Sequence, residues 1–156
     1  MSQTKKTQKR SLLSTLGVVV IAVLLLLGQQ MGLLPGTEET ASTAAIIEPQ
    51  AIVNYLAAHD GKLPDNFLTK AEAEALGWDS SKNYLSDVAP GKSIGGDRFG
   101  NYEGLLPTAS GRQYHEADCY YTEGKRNAYR LVYSTDGLYF YTEDHYETFE
   151  EMHPEQ

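Results

Sequence analysis

A carboxylate, an imidazole and two guanidinium groups in the second half of the chain could together perform acid–base chemistry. Glu116 and Asp118 lie two residues apart in an alternating segment, so they share one face of a predicted strand. Arg126 and Arg130 follow a short reversal that would bring one of them opposite the carboxylates. His145 lies at the end of another predicted hairpin of the same sheet. Phosphoryl transfer without a metal needs these parts: a base, an acid and a positive clamp.

The same residues have a simpler interpretation, in which they form a solvated ladder of salt bridges between strands. If only the four charged residues are considered, this simpler interpretation is preferred. Lys70 is similarly ambiguous. It occupies the first position of a predicted helix, where the positive end of the dipole disfavours a cation by up to ~1 kcal/mol. It is either an exposed lysine that tolerates this cost or part of a site that attracts anions.

Other types of site are poorly supported. Gly91-Lys92-Ser93 suggests a phosphate loop, but the earlier glycine that the motif requires falls at Ser86. One cysteine and four histidines make a structural zinc site improbable, and Cys119 falls on the presumed core face. Asp136-Gly137 lacks the ligand spacing of a calcium loop. We therefore expect no metal and no cofactor.

The elements that must position these groups change character along the chain. Helices are predicted first: from about Pro49 to His59, from the Thr69 capping box to Leu76, and as a short turn between Ser80 and Leu85. Tyr-rich strands follow, at Arg112–Tyr121, Arg130–Tyr133, Leu138–Tyr141 and Tyr146–Phe149. Helices followed by an antiparallel meander predict an α+β domain with one open sheet face.

The N-terminal segment has the pattern of a targeting sequence. Four basic residues precede an uncharged stretch of 23 residues from Leu12 to Leu34, long enough to cross a bilayer. Its densest part, Val18 to Leu27, is also the size of a signal-peptide core. The poor cleavage pattern after it slightly favours an uncleaved anchor. Residues 1–34 are thus predicted to be a signal peptide or membrane anchor, residues 35–45 a linker, and residues 46–156 a domain delivered outside the cytoplasm.

Length and charge restrict the possibilities further. The chain has 156 residues and a mass of 17.3 kDa, which leaves room for one ordinary domain. Its formal net charge is -8, and residues 45–156 carry nine basic and nineteen acidic side chains, a net charge of -10. Such a balance disfavours a broad basic surface for nucleic acid, although it permits a local cationic pocket.

A family resemblance covers nearly all of the chain from about Ile52 to Glu150. The matching segments include Leu63-Pro64-Asp65-Asn66, Asp87-Val88-Ala89-Pro90-Gly91-Lys92-Ser93-Ile94-Gly95-Gly96-Asp97, Glu116-Ala117-Asp118, Arg126-Asn127 and Asp144-His145-Tyr146. In these segments the chain closely resembles the barnase-like guanyl-specific microbial ribonucleases. The resemblance implies their fold, in which N-terminal helices pack against a five-stranded antiparallel sheet.

The resemblance also implies roles for the charged residues. Glu116 matches the general base and His145 the general acid of a reaction that converts single-stranded RNA to a 2′,3′-cyclic phosphate, which water then opens. The positions that would stabilise the phosphorane are Lys70, Arg126 and Arg130. We expect the arginines to favour ionised Glu116, and the carboxylates of Glu116 and Asp118 to hold them in place.

The base-recognition loop of the family aligns with residues 99–103. Glu103 would accept hydrogen bonds from guanine N1 and N2, and the backbone amides of Gly100, Asn101 and Tyr102 would meet O6 and N7. Tyr146, beside the general acid, would help to bind substrate. Barnase-like bacterial enzymes usually have arginine at the position of Tyr102 and serine at that of Gly100. Stacking of Tyr102 on the base, worth ~1 to 3 kcal/mol, could replace the lost cation.

We expect a monomeric enzyme that is secreted, or anchored through residues 12–34, and the resemblance implies a small acidic inhibitor of the barstar type. The strongly acidic domain would repel such an inhibitor more than a basic enzyme does. A rival interpretation is a nucleotide-binding or interaction module that kept the fold and lost efficient turnover. The acidic surface and the altered Tyr102 loop suggest this rival, whereas the presence of every catalytic position argues against it.

Overall fold

A computed structural model describes residues 44–156, which form one compact unit. The predicted signal or anchor and most of the predicted linker lie outside these residues. Within the described part of the chain, no helix is long and apolar enough to cross a membrane.

The described chain is an α+β domain, as the sequence predicts. Three helices come early: α1 (Pro49–Ala58), α2 (Lys70–Ala75) and α3 (Leu85–Val88). The strands are β1 (Phe67–Leu68), β2 (Ser93–Phe99), β3 (Tyr114–Asp118), β4 (Arg130–Ser134), β5 (Tyr139–Thr142) and β6 (Glu150–Met152). They form one sheet in the order β1-β2-β3-β4-β5-β6. Strands β2 to β6 pair antiparallel, as expected, but the two-residue strand β1 pairs in parallel with β2 and makes a sixth member.

Helix α1 covers one face of the sheet because its apolar residues recur at helical spacing. Ile52, Val53 and Leu56 are completely buried and pack on β3 and β4 through side chains such as Ala117 and Leu131. Gly61 adopts a left-handed conformation (φ 74°) and donates its amide to the carbonyl of Leu56, which ends the helix close to the predicted position.

A second apolar cluster joins α2 and α3 to the sheet, with Trp78, Leu85 and Ile94 at its centre. A third lies on the opposite sheet face from α1 and contains Leu106, Tyr114, Val132 and Phe140. Because side chains alternate across a strand, Glu116 shares the face of Tyr114 and lies directly opposite Val132 of β4. The third apolar cluster therefore lies on the same face of the sheet as the charged side chains.

Two predicted elements are in the wrong place. The short helix lies at Leu85–Val88 rather than between Ser80 and Leu85, because the Asp79 carboxylate accepts the Ser81 amide and holds that segment in a turn. Its start is instead fixed by Asp87, which accepts the amide of Tyr84.

The predicted strand Tyr146–Phe149 is a loop, and the last strand begins at Glu150. His145 and Tyr146 both have positive φ values, 56° and 76°, which residues with a Cβ atom do not adopt in a regular strand. Similarly, β3 is shorter than predicted at its C-terminal end, where Tyr120 has a φ of 55°.

Candidate active site

A charged cluster consists of Lys70, Glu116, Asp118, Arg126 and Arg130. Within it, Glu116 is buried and contacts both a cation and a hydroxyl group. Its side chain is 10% exposed at the middle of β3. Lys70 Nζ lies 3.0 Å from its Oε1, and the hydroxyl of Tyr146 donates a short hydrogen bond to its Oε2. The carboxylate is thus held between an ammonium group and a phenol, with both oxygens engaged.

Lys70 reaches Glu116 because the start of α2 is fixed from two sides. Thr69 and Glu72 form the predicted capping box, with the Thr69 hydroxyl accepting the Glu72 amide and Glu72 accepting the Thr69 amide. The Lys70 amide donates to the carboxylate of Asp97 at 2.9 Å. The start of α2 thus holds the ammonium group of Lys70 against Glu116, with its side chain 43% exposed.

The two arginines pair with Asp118 rather than with Glu116, contrary to the expectation that both carboxylates hold them. Arg126 donates two hydrogen bonds of 2.6 Å to the two oxygens of Asp118. Arg130 faces Asp118 across the sheet, with its Nε 3.0 Å from Oδ1. Asp118 is 1% exposed, and it can serve both guanidinium groups because each of its oxygens has two lone pairs.

Asp118 also contributes to the pKa of Arg126. Burial lowers the pKa of Arg126, but the hydrogen bonds to Asp118 and the nearby negative charges together outweigh burial, so the pKa is raised. Glu116 raises it further through its charge. Arg126 therefore stays cationic at the edge of the cluster, where its guanidinium also lies 6.0 Å from the Trp78 ring.

Each arginine keeps one terminal nitrogen without a protein partner in the part of the chain that the structure describes. Arg126 uses Nε and Nη2 on Asp118, and Arg130 uses Nη1 on the carbonyl of Tyr129 and on Asn127. Nη1 of Arg126 and Nη2 of Arg130 remain able to donate to a ligand. Arg130 Nε is buried and lacks a well-aligned hydrogen bond in residues 44–156, although its ion pair with Asp118 is close.

His145 lies in the exposed loop between β5 and β6, next to Tyr146 in the sequence. The two rings are tilted at 51° with centroids 4.7 Å apart. Because the hydroxyl of Tyr146 reaches Glu116, this loop brings His145 to the face that carries Glu116. Burial, followed by the hydrogen bond to Glu116, raises the pKa of Tyr146, so its phenol remains a donor at neutral pH.

The loop at residues 99–103 is held by Asn101, which has a φ of 48°. Its side-chain amide donates to the carbonyl of Leu106 and its side-chain oxygen accepts the Leu106 amide, both at 3.0 Å. The side chain of Asn101 is thus used within the loop. Glu103 and Tyr102 project outward, and Tyr102 is 93% exposed.

Gly100 and Tyr102 are in direct contact. The Tyr102 ring lies against Gly100 where a Cβ atom would stand, so any larger residue at position 100 would displace the ring. The absence of a side chain at Gly100 therefore permits the observed orientation of Tyr102.

Sequence reasoning missed the residues that hold the His145 loop, namely Thr142, Asp144 and Thr148. Thr142 ends β5, and its hydroxyl contacts both the Asp144 carboxylate and the Tyr146 amide. The signal was present as a hydroxyl residue two positions before an aspartate, a pattern that recurs at Ser134 and Asp136. Within residues 44–156, no three His, Cys, Asp or Glu side chains are arranged to hold a metal ion.

Comparison with known proteins gives a consistent result. A family model described as ribonuclease matches residues 51–153. A ribonuclease of Bacillus intermedius is 53% identical over 113 residues, which cover 72% of this chain and 69% of that protein. A ribonuclease of Heyndrickxia coagulans is 58% identical over 98 residues, 63% of this chain and 89% of the relative. The guanyl-specific ribonuclease St of Saccharopolyspora erythraea is 47% identical over 55 residues, 35% of this chain and 54% of the relative.

Proposed function

The chain belongs to the barnase-like microbial ribonuclease family, and on that basis we propose that it is a guanyl-preferring endoribonuclease of single-stranded RNA. The observation that carries this proposal is the position of Glu116 between Lys70 and Tyr146, on the sheet face that also bears Arg126 and Arg130. A general base beside fixed positive charges can activate a nucleophile for attack on a phosphodiester, and the charges can stabilise the transition state.

In the proposed first step, Glu116 takes the proton of a ribose 2′-hydroxyl as that oxygen attacks the neighbouring phosphorus. The bond from phosphorus to the 5′-oxygen breaks, and His145 donates a proton to the departing 5′-oxygen. A 2′,3′-cyclic phosphate and a free 5′-hydroxyl result. In the second step the roles reverse: His145 takes a proton from water and Glu116 protonates the released 2′-oxygen.

The cations supply the electrostatic part of the mechanism. Attack on phosphorus places additional negative charge on its equatorial oxygens, and Lys70 and the free guanidinium nitrogens are suited to donate to them. Asp118 keeps both arginines in a fixed geometry before substrate arrives, so little reorganisation is needed during the reaction.

Guanine preference is assigned to the loop at residues 99–103. The exposed carboxylate of Glu103 can accept from N1 and N2 of guanine, a pairing that adenine cannot make. The similarity to the guanyl-specific ribonuclease St of Saccharopolyspora erythraea supports this specificity. Tyr102, whose side chain is exposed, would stack on the bound base.

We also propose that the domain acts outside the cytoplasm, because the basic flank and the apolar stretch at residues 12–34 have the pattern of a signal or anchor. Cell fractionation followed by N-terminal sequencing of the mature protein tests this. Recovery of the intact N-terminus in the cytoplasmic fraction would overturn it.

An acidic inhibitor of the barstar type is proposed as a partner on the same grounds of resemblance. Because residues 45–156 carry a net charge of -10, its association with the enzyme should be faster at high salt than at low salt. Stopped-flow mixing of the enzyme with such an inhibitor measures this directly, and a rate that falls with salt would contradict the expected repulsion.

The test of the catalytic proposal compares wild type with Glu116→Gln on the dinucleotide GpA. We expect wild type to release guanosine 2′,3′-cyclic phosphate, and the variant to lose about 100-fold or more in kcat/KM because it lacks the base. Glu123→Gln, at an exposed carboxylate that makes no ion pair within residues 44–156, is the matched control and should retain activity. Binding of guanosine monophosphate by the wild type without any turnover would instead support the non-catalytic interpretation.

A further inference from the structure

The loop that carries His145 has an unusual backbone. His145 and Tyr146 are consecutive residues with φ values of 56° and 76°, in the left-handed region that residues with a Cβ atom rarely occupy. Two such residues in a row are stable only when neighbouring groups fix the loop. The loop must therefore contain interactions strong enough to hold this conformation.

Those interactions come from Thr142, Asp144 and Thr148. The Thr142 hydroxyl donates to Asp144 Oδ1 at 2.9 Å and accepts the Tyr146 amide at 3.0 Å. Asp144 also accepts the Thr148 amide at 2.9 Å and the Thr148 hydroxyl at 2.6 Å. These bonds bracket His145 from both sides. Hydrogen bonds from Thr148 lower the pKa of Asp144 to about 2, so the carboxylate stays ionised and accepts all of them at neutral pH.

His145 depends on these bonds more than Tyr146 does. Tyr146 has two other anchors, because its hydroxyl bonds to Glu116 and its ring stacks on Phe99 with centroids 5.1 Å apart. The structure gives the ring of His145 no hydrogen bond to any residue from 44 to 156. Among these residues, the position of the imidazole therefore depends on the backbone of the loop and on its contact with the Tyr146 ring.

We propose that Thr142, Asp144 and Thr148 form a clamp that positions His145 as the proton donor to the leaving 5′-oxygen. The proposal rests on the proposed function, since it assigns the clamp to the acid step of that reaction. Proton transfer requires the donor within hydrogen-bonding reach of the acceptor, so a loosened loop lowers the rate of this step even if substrate still binds.

The chain contains a matched control for this clamp. In the hairpin between β4 and β5, the Ser134 hydroxyl donates to Asp136 at 2.6 Å and accepts the Leu138 amide at 2.8 Å. The arrangement repeats that of Thr142, Asp144 and the Tyr146 amide, but it carries no residue of the charged cluster. Variants of the two motifs should therefore have similar effects on stability and different effects on catalysis.

The experiment uses two guanosine substrates that differ in their need for an acid. GpA releases a 5′-alkoxide, which must be protonated, whereas the 4-nitrophenyl ester of guanosine 3′-phosphate releases a weakly basic phenolate, which need not be. Thr142→Val and Thr148→Val remove clamp hydroxyls at nearly constant volume. On GpA we expect kcat to fall about 10- to 100-fold with KM within about threefold, and on the nitrophenyl ester we expect a change below about threefold.

Thr142→Ser and Thr148→Ser keep the hydroxyl and should restore cleavage of GpA. Ser134→Ala, the control, should cleave both substrates at the wild-type rate. Equal losses on the two substrates by variants that remain folded in circular dichroism, or no loss on either, would overturn the clamp. Failure of the proposed function is separate: wild type would then cleave neither substrate, or Glu116→Gln would cleave both normally.

Discussion

The hydroxyl of Tyr146 donates a hydrogen bond to Glu116, so a residue of the β5–β6 loop touches the carboxylate at the centre of β3. The two residues are 30 positions apart in the sequence. Tyr146 follows His145 directly, and this one bond ties the loop of the proposed acid to the strand of the proposed base. The effects of this contact and of the ion pairs near it on stability and activity can be measured.

The bond between Tyr146 and Glu116 should appear as a coupling energy. In a double-mutant cycle of Tyr146→Phe and Glu116→Gln, we expect the two losses in the free energy of unfolding to be non-additive by about 1 to 2 kcal/mol, since the bond has a charged acceptor and is partly buried. Urea unfolding of the four proteins gives this value. Additive losses would mean that the bond contributes nothing in solution.

Removal of Asp118 should destabilise the protein strongly. Asp118→Ala leaves the buried guanidinium of Arg130 without its counter-charge and releases Arg126, and breaking a buried ion pair costs about 3 to 5 kcal/mol. Activity on GpA should fall as well, because the arginines lose their fixed positions. The control is Lys82→Ala, which removes an exposed ion pair with Asp79 but keeps the Asp79 turn, so its urea midpoint should stay close to that of wild type. Similar losses in the two variants would contradict the organising role of Asp118.

Base preference should depend on Glu103 and on the contact between Gly100 and Tyr102. Glu103→Ala should reduce the ratio of kcat/KM for GpA over ApA by about 100-fold, since guanine loses its charged acceptor. Gly100→Ala adds a Cβ where the Tyr102 ring lies and should weaken binding of both substrates by moving that ring. A ratio unchanged by Glu103→Ala would remove Glu103 from base recognition.

Acid stability should depend on Asp136. Its hydrogen bonds, first with Arg112 and then with Ser134, lower its pKa from the usual value near 4 to about 2. A carboxyl with a lowered pKa in the folded state stabilises the protein fully above pH ~4, and this contribution is lost as pH falls towards 2. The difference in urea midpoint between wild type and Asp136→Asn should therefore be constant from pH 7 to about 4 and shrink below it.

The control for this measurement is Asp65→Asn, at an exposed carboxylate away from the Arg112–Asp136 pair. Its unfolding profile between pH 2 and 7 should follow that of wild type. A difference between Asp136→Asn and wild type that persists at pH 2 would show that the effect is not ionic.

Salt should affect cleavage of RNA only moderately. With Lys70, Arg126 and Arg130 as the cations near the scissile phosphate, a plot of log kcat/KM against log salt concentration should have a slope no steeper than about -2. The remaining surface, with an excess of acidic groups, adds no favourable contacts with phosphates. A slope steeper than about -5 would reveal an extended basic binding surface instead.

Much of the architecture could be predicted because it depends on neighbours in the sequence. The capping box of Thr69 and Glu72, the apolar stripe of Ile52 and Leu56, and the alternation around Glu116 each involve residues within a few positions of one another. The prediction of a strand at Tyr146–Phe149 was wrong for a different reason, because it followed the aromatic residues and did not consider local side-chain hydrogen bonds. Side-chain bonds from Thr142 and Asp144 override the strand preference of its aromatic residues and force left-handed backbone at His145 and Tyr146.

The sequence by itself determined the types of chemical group, the α+β class, and, through resemblance, the candidate residues Glu116, His145, Lys70, Arg126 and Arg130. Only the tertiary structure decided which charges pair. Both arginines pair with Asp118, whereas Glu116 contacts Lys70 and Tyr146. The physical reason is that ion pairs and hydrogen bonds act over a few ångströms. Strand register and the path of the loops therefore determine which groups become partners, as for Lys70 and Glu116, which are 46 positions apart in the sequence.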